Sequence, residues 1–200
     1  VDYLCLSCNM DGEIYDKEHV IEDKEFLKSF EEHSAAKTVH HGFIGGLMEH
    51  TLSVARLCDY MASAYPVIRR DMLITAALLH DVGKTRELSS FPLNDYTDEG
   101  QLLGHIIIGA QMIHDLIKEI PDFPLDLENQ LVHCILAHHG ELEYGSPKKP
   151  AMVEAVALNL ADNTDARMET LTEIFAADKS KKEWLGFNRI FESNLRKTSI

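Results

Sequence analysis

Apolar stripes of helical period, separated by short breaks rich in Gly and Pro, run along this chain. Residues 23–37 place Phe26, Leu27 and Phe30 on one face among acidic neighbours. After Gly42, Gly45 and Gly46, residues 47–64 carry Leu47, Thr51, Val54, Leu57, Cys58 and Met61 at the spacing of an amphipathic helix. Pro66 closes that helix. Asp71 is the expected N-cap of a helix through Met72, Ile74, Ala76, Ala77, Leu78 and Leu79, which is apolar nearly all round and therefore central. Residues 88–100 read as a loop. A helix over 99–120 has Leu102, Ile106, Ala110, Ile113 and Ile117 in register, and the PDFP run at 121–124 breaks it. The next helix covers 126–139 and stops at Gly140. A second loop, 143–150, ends on Pro150 in the expected first turn of a helix over 151–177. Trp184, Phe187, Phe191 and Leu195 predict a last helix over 181–195. No segment reads as a strand. The expectation is an all-α bundle of about seven helices, with residues 1–22 as a linker remnant and 23–200 as one domain.

Composition narrows the function classes. The 200 residues hold 19 Lys plus Arg against 33 Asp plus Glu, a formal charge of −14. Such a surface argues against gripping nucleic acid over its whole area, because that grip runs on clustered cations. A small, locally positive site remains compatible with it. No apolar run approaches the roughly 18–20 residues that span a bilayer. The start has neither a basic segment nor an apolar one of the kind that makes a signal peptide. It also lacks an initial Met, so a preceding segment is expected. Cys5 and Cys8 form a single CxxC with no second pair at zinc-site spacing. Cys58 and Cys134 fall in apolar helical patterns and read as small buried hydrophobes. Nothing suggests a disulfide framework, so a cytoplasmic location is expected.

The eleven His are the unusual feature. His50 lies on the stripe of Leu47 and Val54, and His80-Asp81 ends the central apolar helix. His105 flanks an apolar face, His138-His139 ends its helix, and Asp162 follows the apolar run 153–161. One unpaired buried polar group costs roughly 2–7 kcal/mol, and a charge costs more. A single buried His is readily satisfied by hydrogen bonds. This many together call for a shared explanation, and a metal supplies one, since imidazole and carboxylate are its natural ligands.

The ordered set His50, His80-Asp81, His105, His138-His139 and Asp162 resembles the HD-domain superfamily of metal-dependent phosphohydrolases. The strings AAKTVHHGFIGGLMEHT, LLHDVGK, LLGHI, ILAHHGELEYGSP and ADNTDA are similar to the YhaM-type 3′–5′ exoribonucleases. The resemblance covers residues from about 35 to about 170 and implies two divalent transition metals. One would be held by His50, His80, Asp81 and Asp162, the other by Asp81, His105, His138 and His139. Either Asp81 or Asp162 must be the shared ligand, because only a carboxylate has two oxygens to offer. Adjacency to His80 favours Asp81. Two divalent ions against two carboxylates leave a site of about +2, suited to phosphate. The resemblance favours Mn, with Co, Fe, Ni or Zn open. It also implies an upstream OB-fold nucleic-acid-binding domain, for which this chain has no room. Related proteins use a Lys at the place of Lys84, which is expected to touch a phosphate oxygen and, with Asp81, to serve catalysis.

Further candidates lie near these ligands. His40 and His41 precede the Gly-rich turn and are expected to line the pocket. Asp165, one turn after Asp162, is a candidate for holding a ligand or the substrate ribose. Tyr144, Ser146 and Lys148, together with Lys149, precede a helix N-terminus and offer a phosphate grip. His133 reads as structural, while His19, His33 and His114 read as solvated. The expected activity is removal of nucleoside monophosphates from the 3′ end of single-stranded RNA or DNA by metal-activated water. Three rivals stand beside it. They are a phosphohydrolase of nucleotides or cyclic dinucleotides, a di-iron oxygenase, and a binding module without turnover. No membrane partner is expected, and the oligomeric state is left open.

Overall fold

The computed structural model describes residues 28, 30–35, 43–90, 92–180 and 182–198. The stripe after the Gly-rich turn forms α1 (Gly46–Ala64), which buries Leu47, His50, Thr51, Val54, Ala55 and Cys58. The central apolar run forms α2 (Arg70–Leu79). Its N-cap is Arg69, so Asp71 sits inside the first turn and does not cap the helix as expected. The amide of Arg69 donates instead to Glu154 Oε1 at 2.9 Å, so a carboxylate from another helix faces the positive end of α2.

A tight turn over residues 80–83 leads into α3 (Lys84–Glu87), a single helical turn unexpected from the sequence. One turn is too short to show a period. α4 (Asp98–Lys118) starts on Thr97, whose Oγ1 accepts from the Gly100 amide at 2.9 Å. Gly104 breaks its helical backbone with φ 74° and ψ 156°. α5 (Leu125–Ala137) follows Pro124 and is succeeded by a 3-10 turn, Leu142–Tyr144. α6 (Val153–Ala177) begins after Met152, so Pro150 lies ahead of the helix and outside its expected first turn.

The core joins these helices around α2. Leu47 on α1, Leu73 and Leu79 on α2, Ile113 on α4, Ile135 on α5 and Leu158 on α6 are essentially inaccessible to water. Full burial of such a side chain contributes about 1.5–3 kcal/mol. α2 packs on α1, α5 and α6, and α4 packs on α3 and α5. The residues that follow α2 and α5 therefore emerge inside the bundle. Among the described residues, no helix is long and apolar enough to cross a membrane.

The expected helix over 181–195 is a β-hairpin. β1 (Trp184–Asn188) pairs antiparallel with β2 (Ser193–Arg196). The aromatic spacing fits a helix, but local turn chemistry overrides it. Gly186 takes φ 96°, Glu192 takes φ 48°, and Asn188 Oδ1 accepts from the amides of Ile190 and Phe191. The described residues otherwise form a bundle of helices, as the sequence predicts.

Candidate metal centre

Helix ends and one kink bring the ionisable residues together. His50 reaches inward from α1, and Asp162 from α6. His80 and Asp81 leave the end of α2, while His138 and His139 leave the end of α5. His105 sits just past the Gly104 kink of α4. Gly83 allows the turn after Asp81 to lie against α4, since a Cβ there would be 2.1 Å from the His105 carbonyl oxygen.

Each of these histidines is oriented through Nδ1. His80 donates to Ala77 O at 2.7 Å, His138 to Ile135 O at 2.6 Å, and His139 to Tyr144 O at 2.9 Å. His50 donates to Asp165 Oδ2 at 2.7 Å, and His105 to Glu87 Oε1 at 3.1 Å. An oxygen acceptor at Nδ1 places the ring proton there and leaves Nε2 as the inward lone pair. The Nε2 atoms of His50 and His80 then stand 3.2 Å apart, a repulsive pair unless a cation or a proton lies between them.

Two groups result. His50, His80 and Asp162 have ligand atoms within 4.8 Å of one another, and so do His105, His138 and His139. Asp81 lies between the groups. Its Oδ2 is 3.4 Å from Nε2 of both His50 and His80. Its Oδ1 faces the other way, 3.5 Å from His105 Nε2 and 3.7 Å from His138 Nε2. Asp81 Oδ1, His105 Nε2 and His138 Nε2 are buried without a hydrogen-bond partner. Native proteins rarely leave such atoms unsatisfied. Nitrogen and carboxylate donors, converging and unpaired, fit divalent transition metals.

The electrostatics agree with a site built for positive charge. Burial opposes a charge on His50, yet the carboxylates of Asp162, Asp165 and Asp81 push its pKa up to about 11. Burial also opposes ionisation of Asp81, but the Lys84 ammonium and His80 hold its carboxyl well below the usual range. Asp162 is held low in spite of burial, chiefly by His50. Burial and the neighbouring His80 pull His138 down, and burial and His105 do the same for His139. Burial pushes the thiols of Cys58 and Cys134 up to about 12, so both are inert core residues, as expected.

A family model described as "HD domain" matches residues 47–167. This chain belongs to the HD domain family. It is 42% identical over 147 residues to the 3′-5′ exoribonuclease YhaM of Bacillus velezensis (strain DSM 23117 / BGSC 10A6 / LMG 26770 / FZB42). That match covers 72% of this chain and 46% of the relative. It is 41% identical over 150 residues to the YhaM exoribonuclease of Bacillus subtilis (strain 168), covering 74% of this chain and 47% of the relative. The chain spans about half the length of the curated relatives it matches. No solved structure is a significant match.

The remaining expected site residues distribute unevenly around this HD domain. Lys84 is at the centre, with Nζ donating to Asp81 Oδ2 at 2.6 Å. Asp165 is there too, with its Oδ2 engaged by His50 Nδ1, so it holds one of the candidate ligands in place. Tyr144 orients His139 through its backbone carbonyl while its ring is exposed. Ser146 is buried, with its hydroxyl 2.9 Å from the carbonyls of Leu136 and Lys148, so it closes its loop and is withdrawn from any surface grip. Lys148 is exposed, and Lys149 pairs with Glu141. His40, His41, Cys5, Cys8, His19 and the linker over 1–22 lie outside the described residues.

Three histidines outside the ligand set are also placed. His133 accepts from the Ala151 amide at 2.9 Å, the structural role expected. His114 is exposed and pairs with Glu128. His33 is buried with Nε2 3.2 Å from Leu88 O, and is not solvated as expected, because the chain before α1 folds against residue 88.

Two contributors carried no sequence signal. Glu87 accepts from both the ring and the backbone amide of His105, at 3.1 and 3.0 Å. Asn159 donates to His138 O at 2.8 Å and ties the end of α5 to α6.

Proposed function

We propose that this HD domain hydrolyses phosphodiester bonds with two divalent transition metals, trimming single-stranded RNA, and also single-stranded DNA, from the 3′ end to nucleoside monophosphates. The observation that carries the proposal is Asp81, whose two oxygens face two separate groups of ligands, with Oδ1 buried and unpaired. His50, His80 and Asp162 would hold one ion, and His105, His138 and His139 the other, with Asp81 shared. Bound there, the ions supply Lewis-acid charge and lower the pKa of an attacking water to about 7. His138 and His139 are neutral at pH 7 and present lone pairs. Lys84 keeps its proton beside Asp81 and would steady a phosphate oxygen. Glu87 and Asp165 keep His105 and His50 from rotating away. The nucleic-acid substrate and the preference for Mn rest on similarity to the YhaM exoribonucleases.

A substrate panel with added Mn tests the reading. It compares a 3′-hydroxyl RNA oligomer, single-stranded DNA, cyclic dinucleotides and nucleoside triphosphates. The RNA oligomer should shorten from its 3′ end, releasing monophosphates. Turnover of cyclic dinucleotides or triphosphates alone would replace the substrate class. Absence of metal in carefully purified and Mn-supplemented protein would remove the centre itself.

A further inference from the structure

The acidic character of the chain is not uniform. Residues 179–197 hold six Lys or Arg and two Glu within a chain of net charge −14. This segment includes the hairpin, and the hairpin exposes aromatic rings. Trp184 is 57% and Phe187 66% exposed.

Simple alternation would put residues 184 and 187 on opposite faces of a strand. The bulge at Leu185 removes that conflict. Trp184 pairs with Arg196, the register then shifts, and Phe187 pairs with Asn194. Arg196 and Asn194 are two apart on β2 and share a face, so Trp184 and Phe187 share it as well. The Arg196 guanidinium lies 5.9 Å from the Trp184 ring centroid on that face. Arg196 also pairs with Glu183, and Lys197 with Asp178. Lys179, Lys182 and Arg189 are exposed and make no ion pair among the described residues.

The hairpin meets the helix that carries Asp162. Arg167 stacks over the Phe191 ring at 5.1 Å. Arg167 belongs to α6, the helix that also carries Asp162 and Asp165. Five residues of helix separate Arg167 from Asp162, roughly 7.5 Å along the axis.

We infer that this hairpin is a platform for single-stranded nucleic acid. Bases stack on Trp184 and Phe187, and Lys182, Arg189 and Lys179 meet the phosphates. The inference deepens the proposed function, since the platform would hold the strand whose 3′ end enters the metal centre. Aromatic faces combined with unpaired cations are what a sequence-tolerant strand requires, whereas a protein partner would not need the excess charge.

Trp184 is the sole tryptophan of the chain, so its fluorescence reports on this face alone. The full chain is titrated with an oligoadenylate of about 12 nucleotides bearing phosphorothioate linkages at its 3′ end, a length suited to such platforms. The expected result is saturable quenching that weakens as salt rises, with no quenching by inorganic polyphosphate, which has no bases. With a labelled oligomer, Trp184→Ala and Phe187→Ala should each weaken binding about tenfold, while Trp184→Phe should retain most of it. Lys182→Glu with Arg189→Glu should flatten the salt dependence, and these exposed changes carry the test if an alanine variant unfolds.

Unchanged emission, or alanine variants that bind like the wild type, would overturn the platform. So would an emission shift that follows protein concentration without oligomer, which would mark the face as a self-contact. Quenching together with no cleavage of an unmodified 3′-hydroxyl RNA oligomer would keep the platform and remove the proposed function. Trimming without quenching would do the reverse.

Discussion

Asp81 lies between the two candidate ligand groups, with one of its oxygens facing each of them. Wild-type protein should carry about two transition metals per chain, the number a shared carboxylate supports. Replacing His80 and Asp81 together by Ala should abolish both, as read by elemental analysis of the purified proteins. Retention of a full metal complement by the double variant would show that the ions sit elsewhere. Glu87 acts one step removed. Glu87→Gln removes the charge that orients His105, and affinity at the His105 group should fall about 10- to 100-fold. The two groups should also differ in their response to pH. His50 has a pKa of about 11, so at neutral pH an incoming ion must displace its proton. Affinity at the His50 group should therefore climb by about tenfold per pH unit through the neutral range. His138 and His139 are held below their ordinary value and have no proton to lose at pH 7. Metal titrations at about pH 6.5 and about pH 8.5 should resolve one steep and one flat dependence. Two equal slopes would contradict the assignment.

The helices position these groups by where they stop. Leu79, the last residue of α2, is buried among core side chains and fixes where His80 and Asp81 begin. Leu79→Ala should cost about 2–5 kcal/mol of stability, measured by denaturant unfolding. Gly83 admits no side chain without moving the His105 backbone. Gly83→Ala should therefore lower metal occupancy as well as stability, because the strained contact runs through a ligand residue. The candidate ligands themselves were legible in the sequence, since each is an ionisable residue on or just beyond an apolar stripe. Of their orienting partners, Asp165 was marked by its place one turn after Asp162, whereas Glu87 was not. Glu87 meets His105 across 18 residues, and no local period encodes such a pairing. The hairpin was misread for a related reason. The spacing of Trp184, Phe187, Phe191 and Leu195 satisfies a helix, while the deciding features are the left-handed backbone at Gly186 and the turn held by Asn188. α3 escaped because a single turn has no stripe to display.

At the scale of the molecule, the candidate metal centre would act as a cross-link. Ions there would join α1 through His50, the ends of α2 and α5, α4 through His105 and α6 through Asp162. The core packs these helices together, but it also buries Asp81, His80 and His138 among them, with two of those residues holding unpaired atoms. Ions at the centre would satisfy those atoms and stabilise only the folded state. Ligand present at a hundred times its dissociation constant adds about 2.7 kcal/mol. A chain of this size shifts its melting temperature by about 2–4 °C per kcal/mol. Chelation should thus lower the melting temperature by about 5–10 °C, and added Mn should restore it. The same treatment should leave the melting temperature of the His80→Ala, Asp81→Ala double variant nearly unmoved, because that variant should hold neither ion. Differential scanning calorimetry of both proteins, before and after chelation, checks this. If the wild type melts at one temperature with and without metal, the centre does not hold the bundle together, and the buried unpaired atoms at Asp81 and His138 would need another explanation.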